Sequence, residues 1–174
     1  LIEGGVTVQV FTAVTKSPAG QNYDSNSAEA FDNITALAIG QLWPLRTWNS
    51  LLERALYQAE KLHRVEAALP DSFRIIRSRA DLDALIAERQ AGKQVVGGIL
   101  GIEGGHPLEG EIANLDKLEA AGHRVIGLQH FFDNALGGSL HGQGDHGLTD
   151  FGRAVVAEVA GRGMVLDLAH SSPQ

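Results

Sequence analysis

The chain has 174 residues, 44% of them hydrophobic and 20% charged, a size and balance that suit one globular domain with a real core and exclude a disordered segment or a coiled coil. A formal net charge of −7, with only 14 lysines and arginines scattered along the sequence, argues against a nucleic-acid partner, which needs clustered cations. There is no cysteine, so disulfides, thiolate metal sites and cysteine nucleophiles are excluded, and no apolar run reaches the ~18 residues of a membrane span.

In chain order, VTVQVFTAV (6–14) is β-branched and bounded by Gly4-Gly5 and Ser17-Pro18, which predicts a strand. The small polar residues of SPAGQNYDSNSAEA predict a loop. Leu45, Trp48, Leu52, Leu56, Ala59, Leu62 and Leu69 then recur at helical spacing, and Pro44 divides the region from Ala28 to Leu69 into two helices. SFRIIRS reads as a short strand. Ser78 with Asp81 three residues on starts the next helix, and Gly92 stops it. QVVGGILGIEGG is apolar without strict alternation, the pattern of a parallel strand covered on both faces. EIANLDKLEAAG is a helix closed by Gly122, and RVIGLQH a strand. The last helix opens at Thr149, turns Val155, Val156 and Val159 inward and stops at Gly163, before a final strand in MVLDLAH.

Repeated βα units imply parallel strands with right-handed crossovers. A doubly wound open sheet and a (β/α)8 barrel both fit, and five strands would make the barrel incomplete. The polar residues favour the barrel. Three strand signals end in a residue able to bind metal or handle protons: Glu103, His130 and His170. Parallel barrels build their active sites at such C-terminal strand ends. A single terminal histidine is ordinarily a hydrogen-bonded structural residue, but three such ends in succession point to chemistry.

GILGIEGGH (98–106) invites a phosphate-loop reading, yet it contains neither G-x-G-x-x-G opening into a helix nor G-x-x-x-x-G-K-[ST]. Pro107 follows where helix amides would be needed, and a carboxylate repels phosphate. A metal fits better, because Glu103 offers two oxygens able to bridge two cations while the glycines give the backbone clearance. The plainer alternative is a solvated turn carboxylate. HGQGDHG, with His141, Asp145 and His146, reads as a glycine-rich surface loop. His63 and His123 read as surface residues, and Trp43 with Trp48 as core packing.

GIEGGH, VIGLQHFFDN and GLTDFGRAVVAEVAGRGMVLDLAHSS together resemble the membrane (renal) dipeptidase family, zinc-dependent dipeptidases of the amidohydrolase-like barrels. The likeness runs in order from Gly4-Gly5-Val6 to the last residue. It implies an α/β fold, a parallel (β/α)8 TIM-type barrel only partly covered by this chain, and two zinc ions as cofactors. It implies that Glu103 bridges the two zincs, that His170 is a ligand to one, and that His130 contacts the substrate and stabilises the reacting group. Gln129 stands where the family usually has Thr. Asn134 is expected to line the pocket, and His106 to support Glu103 through a hydrogen bond.

The family's His-x-Asp pair, a further His ligand, a carboxylate-gripping Arg and a proton-transferring Asp have no counterpart among these residues. The chain is therefore expected to be the central part of a single barrel domain, residues 1–174, with the first strand and the C-terminal strands outside it. The implied activity is hydrolysis of dipeptides, including some with a D-residue second, by a metal-bridging hydroxide. Another barrel metallohydrolase acting on small amides, or a catalytically silent homologue, are the rival readings. No nucleic acid or membrane contact is expected in this stretch, a homodimer stays open, and the cytoplasm is favoured by the lack of a targeting segment here.

Overall fold

The computed structural model describes residues 1–174. Its elements are β1 (Val8–Ala13), α1 (Asn33–Gly40), α2 (Arg46–Asn49), α3 (Leu51–Ala68), β2 (Phe73–Ile75), α4 (Arg79–Gln90), β3 (Val96–Ile102), a 3-10 turn (His106–Leu108), α5 (Asn114–Ala120), β4 (His123–Gly127), α6 (Asp150–Gly161) and β5 (Val165–Asp167). No helix is long and apolar enough to cross a membrane.

The five strands form one parallel sheet in the order β1-β3-β4-β5. One edge of β3 pairs with β1 from Gly97 to Ile102, and the other is shared, β2 taking Val96 to Gly98 and β4 taking Leu100 to Ile102. The order climbs without reversal. A doubly wound sheet reverses at its switch point, so this is an arc of a parallel β/α barrel, with β2 as a short added strand at its base.

Alternation along the strands sorts the side chains into two layers. Ala13, Ile102 and Ile126 face the helices and pack with Leu52 and Ala55 of α3, Leu115 and Leu118 of α5, and Val155 and Val159 of α6. Burying each such aliphatic side chain contributes about 1.5–3 kcal/mol. On the opposite face, a Cβ at Gly101 would meet Val10, Thr12 and Val125, so these residues and, two positions on, Glu103 share the barrel interior. Leu85 of α4 and Ile76 cover that face at Gly97 and close its lower end. The upper end carries the loops.

The expected caps are present. Ser78 accepts from the Asp81 amide and Thr149 from the Gly152 amide, and Gly163 (φ +67°) takes the left-handed turn that ends α6. Pro44 does divide the helical region, but into three helices, because Ser50 is extended (φ −127°, ψ 125°) and breaks the chain again. Leu45 and Leu69, assigned to the apolar stripe by spacing, are exposed at 73% and 52%; each lies at a helix end, where the turn leaves the core face. Trp43 is buried and Trp48 half-buried, its indole donating to the Trp43 carbonyl at 3.1 Å.

His123 is corrected outright. It opens β4 with 1% exposure rather than lying at a surface helix end. A register shift between Leu100 and Gly101 sets it opposite Leu100, on the helix-packed side. Neither ring nitrogen has a hydrogen-bond partner of normal geometry, and burial pushes the imidazole pKa down to about 4, although the nearby Ala55 and Gly101 backbones oppose the shift.

Candidate metal centre

Glu103 leaves β3 at its C-terminal end and is held from both neighbouring strands. Its amide donates to Ala13 at 3.1 Å, and the Gly105 amide to Leu128 at 2.9 Å. Thr12 of β1 donates its hydroxyl to Glu103 Oε2 at 3.0 Å. The other oxygen, Oε1, faces His170 Nε2 at 3.3 Å and His130 Nε2 at 3.5 Å. Gly104 has φ +86°, and a Cβ there would sit 2.7 Å from His106 Nε2 and 3.1 Å from the His130 Cβ. The glycine is what lets the chain turn beneath the imidazoles.

His130 lies three residues beyond β4, in a segment that the apolar run extended as strand. Its side chain is 8% exposed and its Nδ1 has no hydrogen-bond partner. Burial pushes its pKa down; the Glu103 carboxylate pulls it up, and the neighbouring His170 and His141 imidazoles push it down again, leaving it lowered. The lowered pKa favours the neutral ring, in which one nitrogen offers a lone pair to a Lewis acid or a hydrogen-bond donor and the other keeps its proton.

His170 follows β5 by three residues and has φ +63°. A non-glycine residue in this region costs roughly 1–2 kcal/mol, and such strain concentrates at functional sites. The surrounding loop fixes it: Leu140 donates to the His170 carbonyl at 2.8 Å, and Ser171 Oγ to Gln129 Oε1 at 2.8 Å. Gln129 thus ties the β4 loop to the β5 loop.

The loop between β4 and α6 is built around Asp133. Its carboxylate accepts from the Ser139, Gln143 and Gly144 amides at 2.7, 2.9 and 2.7 Å. Ser139 Oγ in turn donates to the His130 carbonyl. His146 is exposed, as expected of a surface loop, but His141 is 4% exposed and belongs to the site. Its ring stacks on Phe131 (4.7 Å, 18°) and lies 5.2 Å from His170. Sequence reading missed it because its burial depends on the loop's fold around Asp133. Thr12 was missed too, since its contact with Glu103 spans 91 residues.

The hydrogen bond expected from His106 to Glu103 is not made, and Asn134 lines a small cleft with His106, Phe132 and Asp133. His106 is 8% exposed, stacks on Phe132 (4.6 Å, 14°), and burial drives its pKa down to about 3. Its contribution at Glu103 is packing against Gly104. Asn134 spends its side chain on its own loop, donating to the Leu128 carbonyl at 2.7 Å and accepting from the Leu136 amide at 2.9 Å.

Glu103, His130 and His170 offer one oxygen and two nitrogens within 4.8 Å of one another. Distances of 3.3 and 3.5 Å are long for hydrogen bonds to a carboxylate. They match the separation of ligands around a tetrahedral zinc, where bonds of ~2.0–2.1 Å put neighbouring donors roughly 3.3–3.4 Å apart. Imidazole and carboxylate donors also suit zinc. The cluster fits a metal ion. On spacing alone His130 stands to Glu103 as His170 does.

A family model described as membrane dipeptidase (peptidase family M19) matches residues 1–174. Among solved structures, dipeptidase AC, a metallo peptidase of family M19, superposes with a TM-score of 0.70 at 21% identity over 97% of this chain and 46% of its own. A metallo peptidase from Rhodobacter sphaeroides, liganded with a phosphinate mimic of the dipeptide L-Ala-D-Ala, gives 0.62 at 26% identity over 71% of this chain and 35% of its own. The probable dipeptidase PvdM from Pseudomonas aeruginosa gives 0.62 at 18% identity over 97% and 47%. The chain thus spans less than half the length of these three structures, and the barrel arc is theirs in part. The chain belongs to the membrane dipeptidase family, peptidase family M19.

Proposed function

We propose that these residues form part of a zinc-dependent dipeptidase that hydrolyses the peptide bond of dipeptides at a two-zinc site. The observation that carries this reading is the convergence of Glu103, His130 and His170 at one end of a parallel barrel arc, at the spacing of metal ligands. The family and the dipeptide mimic bound by the Rhodobacter sphaeroides metallo peptidase support the substrate class.

In this reading Glu103, oriented by Thr12, would be the carboxylate shared by the two ions, and His170 would be a ligand to one of them. Zinc held there would supply a nucleophile, by lowering the pKa of bound water towards about 7, and would polarise the scissile carbonyl. His130 contacts the substrate and stabilises the charge that develops on the carbonyl oxygen, a task its burial favours because the field of a donor is little screened there. The loop around Asp133 holds His130 in place, so little reorganisation accompanies the reaction.

The test is hydrolysis of L-Ala-L-Ala and L-Ala-D-Ala by the natural polypeptide that contains these residues, before and after chelation. Release of alanine that is lost with chelator and restored by zinc is expected. Fully metallated protein that releases none overturns the reading; activity on other small amides only would favour a different barrel metallohydrolase, and inertness towards both a silent homologue.

A further inference from the structure

We propose that His141 recognises the free amino terminus of the dipeptide, accepting a hydrogen bond from the ammonium group at Nε2. The inference rests on the dipeptidase reading of the Glu103 cluster and extends it to a residue that the strand-end pattern and the family motifs do not single out.

Three observations converge on an ammonium. The first is the tautomer. His141 Nδ1 lies 2.7 Å from the Tyr23 carbonyl oxygen; a carbonyl only accepts, so Nδ1 carries the proton. In the neutral ring that leaves Nε2 as an acceptor, and Nε2 makes no hydrogen bond within the chain. The residue is only 4% exposed, but Nε2 is not itself fully buried, so a donor entering the site can reach it. Of the groups a dipeptide carries, the ammonium is the strongest donor, whereas its carboxylate would be repelled.

The second observation is the surround. The His141 ring stacks on Phe131 at 4.7 Å and meets Tyr23 edge-on at 4.8 Å. Aromatic faces attract cations and not anions. The third is position: Phe131 is 4.8 Å from His130 and 5.1 Å from His170, ring centre to ring centre, so His141 borders the cluster without joining its set of metal donors. The Tyr23 bond comes from the loop after β1, and the Asn26 side chain adds a second tie, its Nδ2 donating to the His141 carbonyl at 3.1 Å. Two loops far apart in sequence hold this one imidazole.

Binding of non-hydrolysable phosphinate dipeptide mimics to the zinc-loaded protein, by titration calorimetry, tests the assignment apart from turnover. Two probes are compared, one with the free amino group and one with that group replaced by hydrogen. The parent is expected to bind the amino probe roughly ten- to a hundred-fold more tightly, the range of a hydrogen bond to a charged group. His141→Phe keeps a stacking ring and removes the acceptor; it is expected to erase that preference while binding the des-amino probe within about twofold of the parent. His141→Gln, which restores an acceptor, retains part of the preference; should His141→Phe not fold, Gln is compared with His141→Leu. A parent preference that survives in His141→Phe, or an equal loss for both probes, overturns the role of His141 and leaves the dipeptidase reading standing. A parent that binds neither probe overturns both.

Discussion

Replacing Gly104 by alanine tests whether the glycines of GIEGGH provide clearance around the carboxylate. Gly104 has φ +86° and its Cβ would lie 2.7 and 2.8 Å from His106 Nε2 and Cδ2 and 3.1 Å from the His130 Cβ. Gly110 shares the backbone conformation (φ +79°) but has no atom within 4 Å of its Cβ position. Left-handed strain therefore acts at both, roughly 1–2 kcal/mol for alanine. Overpacking acts only at Gly104, adding about 1–3 kcal/mol, because the nearest ring is stacked on Phe132 and buried. Gly110→Ala is expected to cost about 1–2 kcal/mol and Gly104→Ala about 2–5 kcal/mol. Urea denaturation of both variants reads the difference directly. Since Gly104 directly follows Glu103 and strain there shifts that carboxylate, zinc affinity should also fall in Gly104→Ala and not in Gly110→Ala. Equal destabilisation by the two substitutions would refute the clearance argument.

Two further outcomes follow from buried polar groups away from the cluster. The folded His123 pKa of about 4 lies below the unfolded value of ~6.5, so the unfolded chain binds more protons between them. Stability from keeping this ring neutral is complete above about pH 6.5 and is lost as the pH falls towards 4, about 2 kcal/mol of it between pH 7 and pH 5. His123→Met should flatten that part of the profile of urea midpoint against pH; an unchanged slope would contradict it. Arg54, whose side chain is 2% exposed, donates to the carbonyls of Thr15, Thr47 and Trp48, to Thr35 Oγ1 and, at 2.6 Å, to Asp32 Oδ2. Arg54→Met strands these acceptors and should cost about 3–5 kcal/mol in the same assay; a loss under about 1 kcal/mol would mean that the network behaves as an exposed ion pair.

Much of the barrel arc is legible from sequence because its signals are local: Thr149 before α6, Gly163 after it, and the apolar run into Glu103 each act within a few residues. The same runs bring Glu103, His130 and His170 to one end of the sheet, although β4 and β5 stop three residues short of their histidines. What sequence does not disclose is non-local. Thr12 reaches Glu103 only through the parallel register of β1 with β3, in which Thr12 lies opposite Gly101. His141 looks like a surface residue among glycines until Asp133 gathers the loop's amides, and Gly142 is required there because a Cβ would collide with that carboxylate. His123 looks like the end of a helix, and only the irregular β3–β4 register turns it inward.

The metal content of single-site variants tests the central claim most directly. Elemental analysis of the natural polypeptide containing these residues should find about two zinc ions in the parent and in His130→Ala, and loss of zinc from Glu103→Gln and His170→Ala. Loss from His130→Ala as well would make that residue a ligand. Full zinc occupancy in both Glu103→Gln and His170→Ala would contradict the account.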